Sequence, residues 1–267
     1  MPLVSPTDLH VTVWGAGEPV LLVHGSLTYG NPADDDWHEQ RPLADHFQLR
    51  MPARRGYSQS PSRPPGFGYV EESAELAELL GEGAHLVGFS YGGFLALLMA
   101  AQGPEAIRSL TLIEPSALSV GRGHPAVEAL IARLRPILPP PPQLAPEAFL
   151  LAFRRALRGL PADVPLALTE QDRAHLSSEM GRGGVVATMR EQPQWEAEIP
   201  LDTLAAAPFP KLVVSGGWSP ALDAVCGVLE KRLPAERTVI TGAGHGVQMI
   251  GEVFNQRLLA FLRAASA

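Results

Sequence analysis

Short apolar runs alternate with longer amphipathic stretches in the first third and the last quarter of the chain. The short runs are Leu-rich or β-branched and end in Gly, Pro or a polar residue, which is typical of strands. Because they are almost continuously apolar rather than alternating, we expect strands covered on both faces, as in a parallel sheet. The predicted strands are VLLVHG (20–25), FQLRMP (47–52), HLVGF (85–89), SLTLIEP (109–115), KLVVSGG (211–217) and RTVITG (237–242).

The stretches between these runs repeat apolar residues every three or four positions, which predicts helices. In YVEESAELAELLG, for instance, the repeat stops at Gly81, and glycine commonly ends a helix. The alternation of strands and helices predicts an α/β domain with a mostly parallel sheet. The predicted helices cover roughly residues 36–46, 69–81, 91–102, 220–233 and 247–264.

Residues 116–207 interrupt this alternation. They contain the proline-rich run PILPPPPQLAP (136–146) and helical patterns such as PEAFLLAFRRALRG (146–159), but no convincing strand. Since the α/β pattern resumes at Lys211, we predict a helical insertion between two strands, with residues 1–115 and 208–267 forming the core domain. The alternative is a stretch of ordinary surface helices joined by a proline-rich linker.

Charge and composition argue against several classes of function. The 267 residues carry a formal net charge of −7 without any long basic run, so nucleic acid and anionic membranes are poor candidate partners. The single cysteine, Cys226, excludes an internal disulfide, and no Cys/His pattern indicates a metal site. The N-terminal segment does not resemble a signal peptide, and no apolar run reaches the length of about 20 residues that crosses a bilayer. We expect a soluble, cytoplasmic protein with a small-molecule substrate, and the sequence leaves a homodimer open.

The motif Gly88-Phe89-Ser90-Tyr91-Gly92 lies between a predicted strand and a predicted helix. This strand–turn–helix context is the one that a nucleophile elbow requires. The small residues at 88 and 92 let the strand and the helix approach, and the helix N-terminus favours developing negative charge. Ser90 is therefore the candidate nucleophile, and an ordinary turn serine is the alternative.

A serine hydroxyl needs a base that takes its proton. Among the eight histidines, His245 stands out because it lies in the Gly-rich loop TVITGAGHGVQ after the last predicted strand. A buried or surface histidine without a catalytic role is the alternative. His24, at the end of VLLVHGS, is better explained as a group that orients its neighbours by hydrogen bonds. The backbone N–H groups of Ser26 and Tyr91 are the candidate oxyanion hole.

These pieces together resemble the α/β-hydrolase superfamily, through VLLVHGS, RRGYSQS, HLVGFSYGG and GAGH in that order. The resemblance spans nearly the whole chain, and residues 116–207 occupy the place of the variable helical cap. It implies an α/β-hydrolase fold, with a mostly parallel central sheet flanked by helices, and a serine hydrolase that needs no cofactor. Epoxide hydrolases and haloalkane dehalogenases of this fold use an aspartate nucleophile, so Ser90 argues against both.

The resemblance leaves the acid of the triad in question, because Ser219 stands where the family usually has an aspartate. A serine cannot stabilise an imidazolium as a carboxylate does. Asp223 lies four residues later, and we expect it to point elsewhere from its helix. Glu114 ends an apolar strand at the catalytic edge, where some family members place their acid and where an unpaired carboxylate would be costly. We therefore predict a triad of Ser90, Glu114 and His245, in the chain order typical of the fold.

The segment MPARRGYSQS also departs from the family pattern. Ala53 stands where an aspartate is usual, and Ser58 stands where a glycine is usual. Because the turn concerned is structural, we expect altered loop packing rather than lost chemistry.

Acyl-group hydrolysis is the predicted reaction. The 116–207 block is rich in Leu, Ala, Pro and Phe, including Phe149 and Phe153, and would cover the site. Such a cover favours a small or medium, largely apolar ester, lactone or thioester. Trp37, His38 and Trp218 are candidate pocket walls, and ordinary core or surface aromatic residues are the equal alternative. The alternatives are hydrolysis of a C–C bond or a cyclisation on the same triad, and a ligand-binding protein that has lost catalysis.

Overall fold

The chain forms a seven-stranded sheet. The structure is a computed structural model, which describes residues 7–28 and 36–266. The strand order is β1-β3-β2-β4-β5-β6-β7, and all neighbours are parallel except β1, which is antiparallel to β3. The predicted α/β architecture with a mostly parallel sheet is confirmed. The strands are β1 Val11–Trp14, β2 Pro19–Val23, β3 Gln48–Pro52, β4 Ala84–Phe89, β5 Ile107–Ile113, β6 Lys211–Ser215 and β7 Glu236–Val239.

The first strand, β1, was not predicted from the sequence. It has only four residues, VTVW, and most of them are half-buried because β1 lies at an edge of the sheet. It lacks the continuous apolar run that identified the central strands β2, β4, β5 and β6.

The described residues contain nine α-helices, of which α2, α8 and α9 pack on the strands of this sheet. The helix α2 is apolar around its whole circumference and is buried accordingly, since one side faces the sheet and the others face neighbouring helices. The helices are α1 Tyr69–Ala77, α2 Tyr91–Gln102, α3 Pro125–Leu134, α4 Pro146–Arg158, α5 Glu170–Ser177, α6 Glu179–Met189, α7 Leu201–Ala206, α8 Pro220–Arg232 and α9 Glu252–Ser266. None of the helices within residues 7–28 and 36–266 is long and apolar enough to cross a membrane.

Two predicted helices differ in type from the prediction. The stretch predicted at 36–46 is a 3₁₀-helix over His38–Asp45 with Pro42 inside it, and proline removes an α-helical hydrogen bond. The stretch predicted at 247–264 begins as a 3₁₀ turn over Val247–Ile250, and the α-helix starts only after Gly251. Amphipathic spacing alone does not separate these short turns from α-helix.

The core lies on both faces of the sheet. Leu21 and Val23 pack in the cluster that contains the residues of α2, whereas Val20 and Leu22 pack in the cluster that contains those of α9. This double burial explains why the strands are continuously apolar. Each fully buried Val or Leu stabilises the fold by about 1.5–3 kcal/mol relative to an exposed one.

Residues 116–207 lie between β5 and β6 and contain the five helices α3 to α7. Within this segment α3 packs on α4 and α4 packs on α6, while α3 also contacts α8 and α7 contacts α2 and α8. The segment thus rests on elements that follow β4 and β6. Residues of α3 and α4 lie near Ser90, beside the edge of the sheet at which the parallel strands end, whereas α7 leads into the start of β6.

Candidate active site

Ser90 lies at the sharp turn between β4 and α2. Its backbone has a φ of 53° and a ψ of −117°, a conformation that is costly for a residue with a side chain. The turn also depends on its two glycines. A Cβ on Gly88 would lie 2.5 Å from the carbonyl oxygen of Gly92, and a Cβ on Gly92 would lie 2.2 Å from that of Val23. Neither position has room for a larger residue, which explains the small residues around this serine.

His245 brings its imidazole to Ser90 from the loop that follows β7. The distance between His245 Nε2 and Ser90 Oγ is 3.0 Å, which is a hydrogen bond. The ring packs between two aromatic side chains, with centroid distances of 4.9 Å to Phe89 and 5.7 Å to Trp218. These contacts hold the imidazole over the turn and leave about a quarter of its surface exposed.

Glu114 is the first residue after β5 and is completely buried. Its Oε2 lies 3.2 Å from His245 Nδ1 and accepts a hydrogen bond of 2.7 Å from Trp218 Nε1. Its Oε1 accepts a hydrogen bond of 2.7 Å from the backbone N–H of Gly216. Three donors therefore stabilise a carboxylate that would otherwise be buried without a partner.

This arrangement determines which nitrogen of His245 carries the proton. An ionised carboxylate only accepts hydrogen bonds, so Nδ1 donates to Glu114 and Nε2 keeps its lone pair. The lone pair of Nε2 then faces the hydroxyl of Ser90. The structure places Ser90, His245 and Glu114 in one line of hydrogen bonds, and their catalytic roles stay predictions.

Asp223, the competing carboxylate, points away from His245. It accepts hydrogen bonds from Ser215 Oγ at 2.8 Å and from Arg237 Nη2 at 3.4 Å. Ser219, at the position of the missing aspartate, is the N-cap of α8 and accepts a weak bond of 3.4 Å from the N–H of Leu222. The loop after β6 therefore directs no carboxylate at His245.

Trp218 has a role that sequence reasoning missed. It was considered only as a wall of the pocket, yet its indole N–H bonds the carboxylate of Glu114. The backbone N–H of Gly216 bonds the same carboxylate. The loop after β6 therefore does not supply the acid, but it supplies two hydrogen-bond donors to Glu114. The tryptophan beside the absent aspartate was the available signal, but its partner lies 104 positions earlier in the chain.

The 24–28 loop follows β2 and packs against the nucleophile turn. A Cβ on Gly25 would lie 3.0 Å from the Cβ of Ser90. Within the described residues, the backbone N–H of Ser26 donates to no acceptor. The N–H of Tyr91 belongs to the first turn of α2, where backbone donors lack partners within the helix. Both amides are thus adjacent to the turn, and the oxyanion hole that we predicted from them stays a prediction.

His24 links the 24–28 loop to the residues after β3. Its Nδ1 donates to the carbonyl of Gly25 at 2.9 Å, and its Nε2 accepts from the N–H of Arg54 at 3.0 Å. Burial, and after it the charge of Arg54, lowers the pKa of His24 well below its usual range. These two hydrogen bonds agree with the orienting role that the sequence predicted for His24.

The segment around Arg54 accounts for the departures at 53 and 58. Ala53 is completely buried, and Ser58 has a φ of 47°, which is the conformation that makes glycine usual there. Tyr57, which precedes Ser58, is buried and hydrogen-bonded to Thr188 at 2.9 Å.

A cavity of about 430 Å³ opens above Ser90 and His245. Trp218 and Phe153 line it, as predicted for a pocket wall and for the covering segment, whereas Trp37, His38 and Phe149 are not among its lining residues. Trp37 and Phe149 are core residues instead. The apolar lining residues are Leu27, Phe89, Leu118, Leu130, Leu134, Phe153, Leu157, Trp218, Leu222 and Met249, and the other polar ones are Ser26, Asp36, Ser116, Arg154, Arg158 and Gln194.

Comparison with known proteins gives a family and several relatives. A model of the alpha/beta hydrolase family matches residues 20–256. Lipase LipV of Mycobacterium tuberculosis is 31% identical over 131 residues, which cover 47% of this chain and 49% of that protein. The 2-hydroxy-6-oxo-2,4-heptadienoate hydrolase of Pseudomonas putida is 39% identical over 114 residues, which cover 40% of each protein. The chain therefore spans about half the length of the curated relatives that it matches, or less.

The likeness to solved structures extends over nearly the whole chain. An alpha/beta hydrolase from Sphaerobacter thermophilus superposes with a TM-score of 0.64 at 25% identity, and the match covers 93% of this chain and 95% of that one. The same architecture therefore accommodates a largely different sequence.

Proposed function

Since the chain belongs to the alpha/beta hydrolase family, we propose that it is a serine hydrolase. Its substrate is a small to medium, largely apolar ester, lactone or thioester, cleaved through an acyl-enzyme at Ser90. The observation that carries this proposal is the line of hydrogen bonds from Ser90 through His245 to Glu114, at the floor of a largely apolar cavity.

The geometry supports a two-stage reaction. Ser90 Oγ attacks the carbonyl carbon while His245 Nε2 takes its proton, and Glu114 stabilises the imidazolium that forms. The N–H groups of Ser26 and Tyr91 donate hydrogen bonds that stabilise the negative charge on the carbonyl oxygen. His245 then gives its proton to the leaving group. In the second stage, a water activated by His245 releases the acyl group from Ser90.

Residues 116–207 act in this proposal as a helical cap on a core domain formed by residues 1–115 and 208–267. In support, α3 and α4 contribute Leu130, Leu134, Phe153 and Leu157 to the walls of the cavity above Ser90. Apolar walls favour an acyl chain of limited size over a polar polymer. Residues 1–6, 29–35 and 267 of these ranges lie outside the described residues.

A second candidate reaction is hydrolysis of a C–C bond, or a cyclisation, with the same three residues. The likeness to a 2-hydroxy-6-oxo-2,4-heptadienoate hydrolase favours it, and so does Arg158 in the cavity wall, whose charge suits a carboxylate, whereas the neighbouring Arg154 is already paired with Asp172. A ligand-binding protein without catalysis is the third candidate, motivated by the serine at position 219.

Labelling with a fluorophosphonate, followed by intact mass, tests the proposal. We expect one adduct on the wild type and none on Ser90→Ala or His245→Ala. Ser116→Ala is the matched control, since Ser116 lines the same cavity and its variant should keep the adduct. A folded wild type without an adduct would favour the ligand-binding candidate. An adduct without turnover of esters, lactones or thioesters, but with turnover of an oxo-dienoate, would favour the C–C hydrolase.

A further inference from the structure

Thr188 and Glu191, in the 116–207 segment, hold the 24–28 loop by hydrogen bonds. We propose that Glu191, in the 116–207 segment, is a positioning residue that fixes the backbone N–H of Ser26 toward the reacting carbonyl oxygen. This inference rests on the proposed function, because it assigns how one half of the oxyanion hole is kept in shape.

Two hydrogen bonds tie consecutive residues of the 24–28 loop to the stretch just around the end of α6. Ser26 Oγ donates to Glu191 Oε2 at 2.5 Å, and the backbone N–H of Leu27 donates to Thr188 Oγ1 at 2.9 Å. Glu191 and Thr188 are 3% and 0% exposed, so water does not compete for either bond. The loop is thus clamped on both sides of the peptide that links Ser26 to Leu27.

A third contact reaches the loop through Arg54. Its Nη2 donates to the carbonyl of Gly25 at 3.0 Å and forms an ion pair with Glu191. Tyr57 Oη donates a hydrogen bond of 3.0 Å to Glu191 Oε1, the oxygen that Arg54 also contacts. Glu191 therefore binds the loop directly at Ser26 and also binds Arg54, which holds the carbonyl of Gly25.

The backbone conformation of Leu27 explains why the loop needs the clamp formed by Thr188 and Glu191. Its φ is 59°, a conformation that a residue with a branched side chain rarely adopts and that persists only when its surroundings impose it. Because Gly25 packs directly against Ser90, relaxation of Leu27 would reorient the preceding amides relative to the nucleophile. The charge and the hydrogen bonds of Glu191 oppose that relaxation.

A purely structural ion pair is the competing explanation, and the chain offers a control for it. Glu72 is also buried and also pairs with Arg54, at 3.2 Å, and it bonds Arg63 at 2.9 Å. Within the described residues, Glu72 makes no hydrogen bond or ion pair with the 24–28 loop, whereas Glu191 bonds Ser26. The two carboxylates share one network of charges and differ in their contact with Ser26.

The test compares Glu191→Gln with Glu72→Gln in the full chain, using p-nitrophenyl butyrate. We expect Glu191→Gln to lower kcat by about 10²-fold, the loss typical of one oxyanion donor, with KM changed less than about threefold. Glu72→Gln should lower the melting temperature at least as much but change kcat less than about threefold. Equal losses of kcat in the two variants, or a change confined to KM, would overturn the proposal.

Ser26→Ala keeps the experiment decisive if Glu191→Gln does not fold. This variant keeps the amide N–H and removes only the hydroxyl that Glu191 holds, so we expect kcat to fall at least about tenfold. In the double variant the two losses should not add, because both act through one contact. An unchanged kcat in Ser26→Ala would contradict the inference. Fluorophosphonate labelling of the wild type separates this failure from failure of the proposed function, because the adduct requires only an active Ser90.

Discussion

Ser90 and Glu114 follow adjacent parallel strands, and both adopt a positive φ, of 53° and 44°. The two turns are joined directly, since the N–H of Ser90 donates to the carbonyl of Ile113 and the N–H of Ser116 donates to that of Ser90, each at 2.9 Å. Strain of this kind costs about 1–3 kcal/mol at each residue and is typical of functional sites. The paired turns bring both side chains to the same imidazole.

Glu114→Gln tests the assignment of the acid. An amide cannot stabilise the imidazolium and disfavours the tautomer that His245 needs, so we expect kcat to fall by about 10⁴-fold. Asp223→Asn is the control, because Asp223 bonds Ser215 and Arg237 instead of the imidazole. Steady-state kinetics on an ester would measure both, and small losses of equal size would disprove the assignment.

Trp218→Phe tests whether the indole stabilises Glu114. Removing its N–H takes one donor from a fully buried carboxylate, which we expect to lower the free energy of unfolding by about 1–3 kcal/mol beyond the packing loss. Trp195→Phe is matched, because the N–H of Trp195 is buried without a partner in the described residues. Urea denaturation of both variants would give the difference. If Trp195→Phe cost as much, the bond to Glu114 would contribute nothing.

His24 makes the stability of the fold depend on pH. Its pKa in the folded state lies well below its usual value, so the unfolded chain binds the proton more tightly. Its contribution is therefore fully present above about pH 6.5 and is lost as the pH falls below that value, by up to about 1.4 kcal/mol per pH unit. The free energy of unfolding of His24→Gln should fall less steeply between pH 7.5 and 5 than that of the wild type.

The matched variant for this pH series is His10→Gln, since His10 is half-buried and lies outside the site. It makes the same substitution at a position away from His24, so it measures the effect of replacing a histidine by glutamine itself. Burial also lowers the pKa of His85 and His175, so part of the slope should remain in His24→Gln. A slope unchanged by His24→Gln would mean that its imidazole is as easily protonated in the fold as in the unfolded chain.

Gly92→Ala tests the packing of the nucleophile turn. The added methyl would lie 2.2 Å from the carbonyl oxygen of Val23, so we expect a loss of at least about 3 kcal/mol of stability or no folded protein. Gly227→Ala is the opposite case, because nothing lies within 4 Å of its Cβ position inside α8. Thermal denaturation should show that this control is as stable as the wild type or more stable, by up to about 1 kcal/mol.

The sequence predicts those parts of the molecule whose causes are local. The continuous apolar runs predicted the central strands β2, β4, β5 and β6 because both faces of the sheet are buried there, whereas the four-residue edge strand β1 escaped notice. The elbow at Ser90 was visible because its glycines lie within two residues of it. The contacts of His245 with Ser90 and Glu114 also join distant positions, but the motifs that resemble the family indicated them. The roles of Trp218 and Glu191 were not visible, because each depends on a partner more than 100 positions away and no such motif points to it.

The bonds from Thr188 and Glu191 to the 24–28 loop have a consequence for protein engineering. A chimera that exchanges residues 116–207 for the corresponding segment of a relative would bring new cavity walls, but it would also remove the clamp on Leu27. Substrate preference and reaction rate would then change together. A graft that ends before residue 188, and so keeps the native 188–191 stretch, should alter the preference alone.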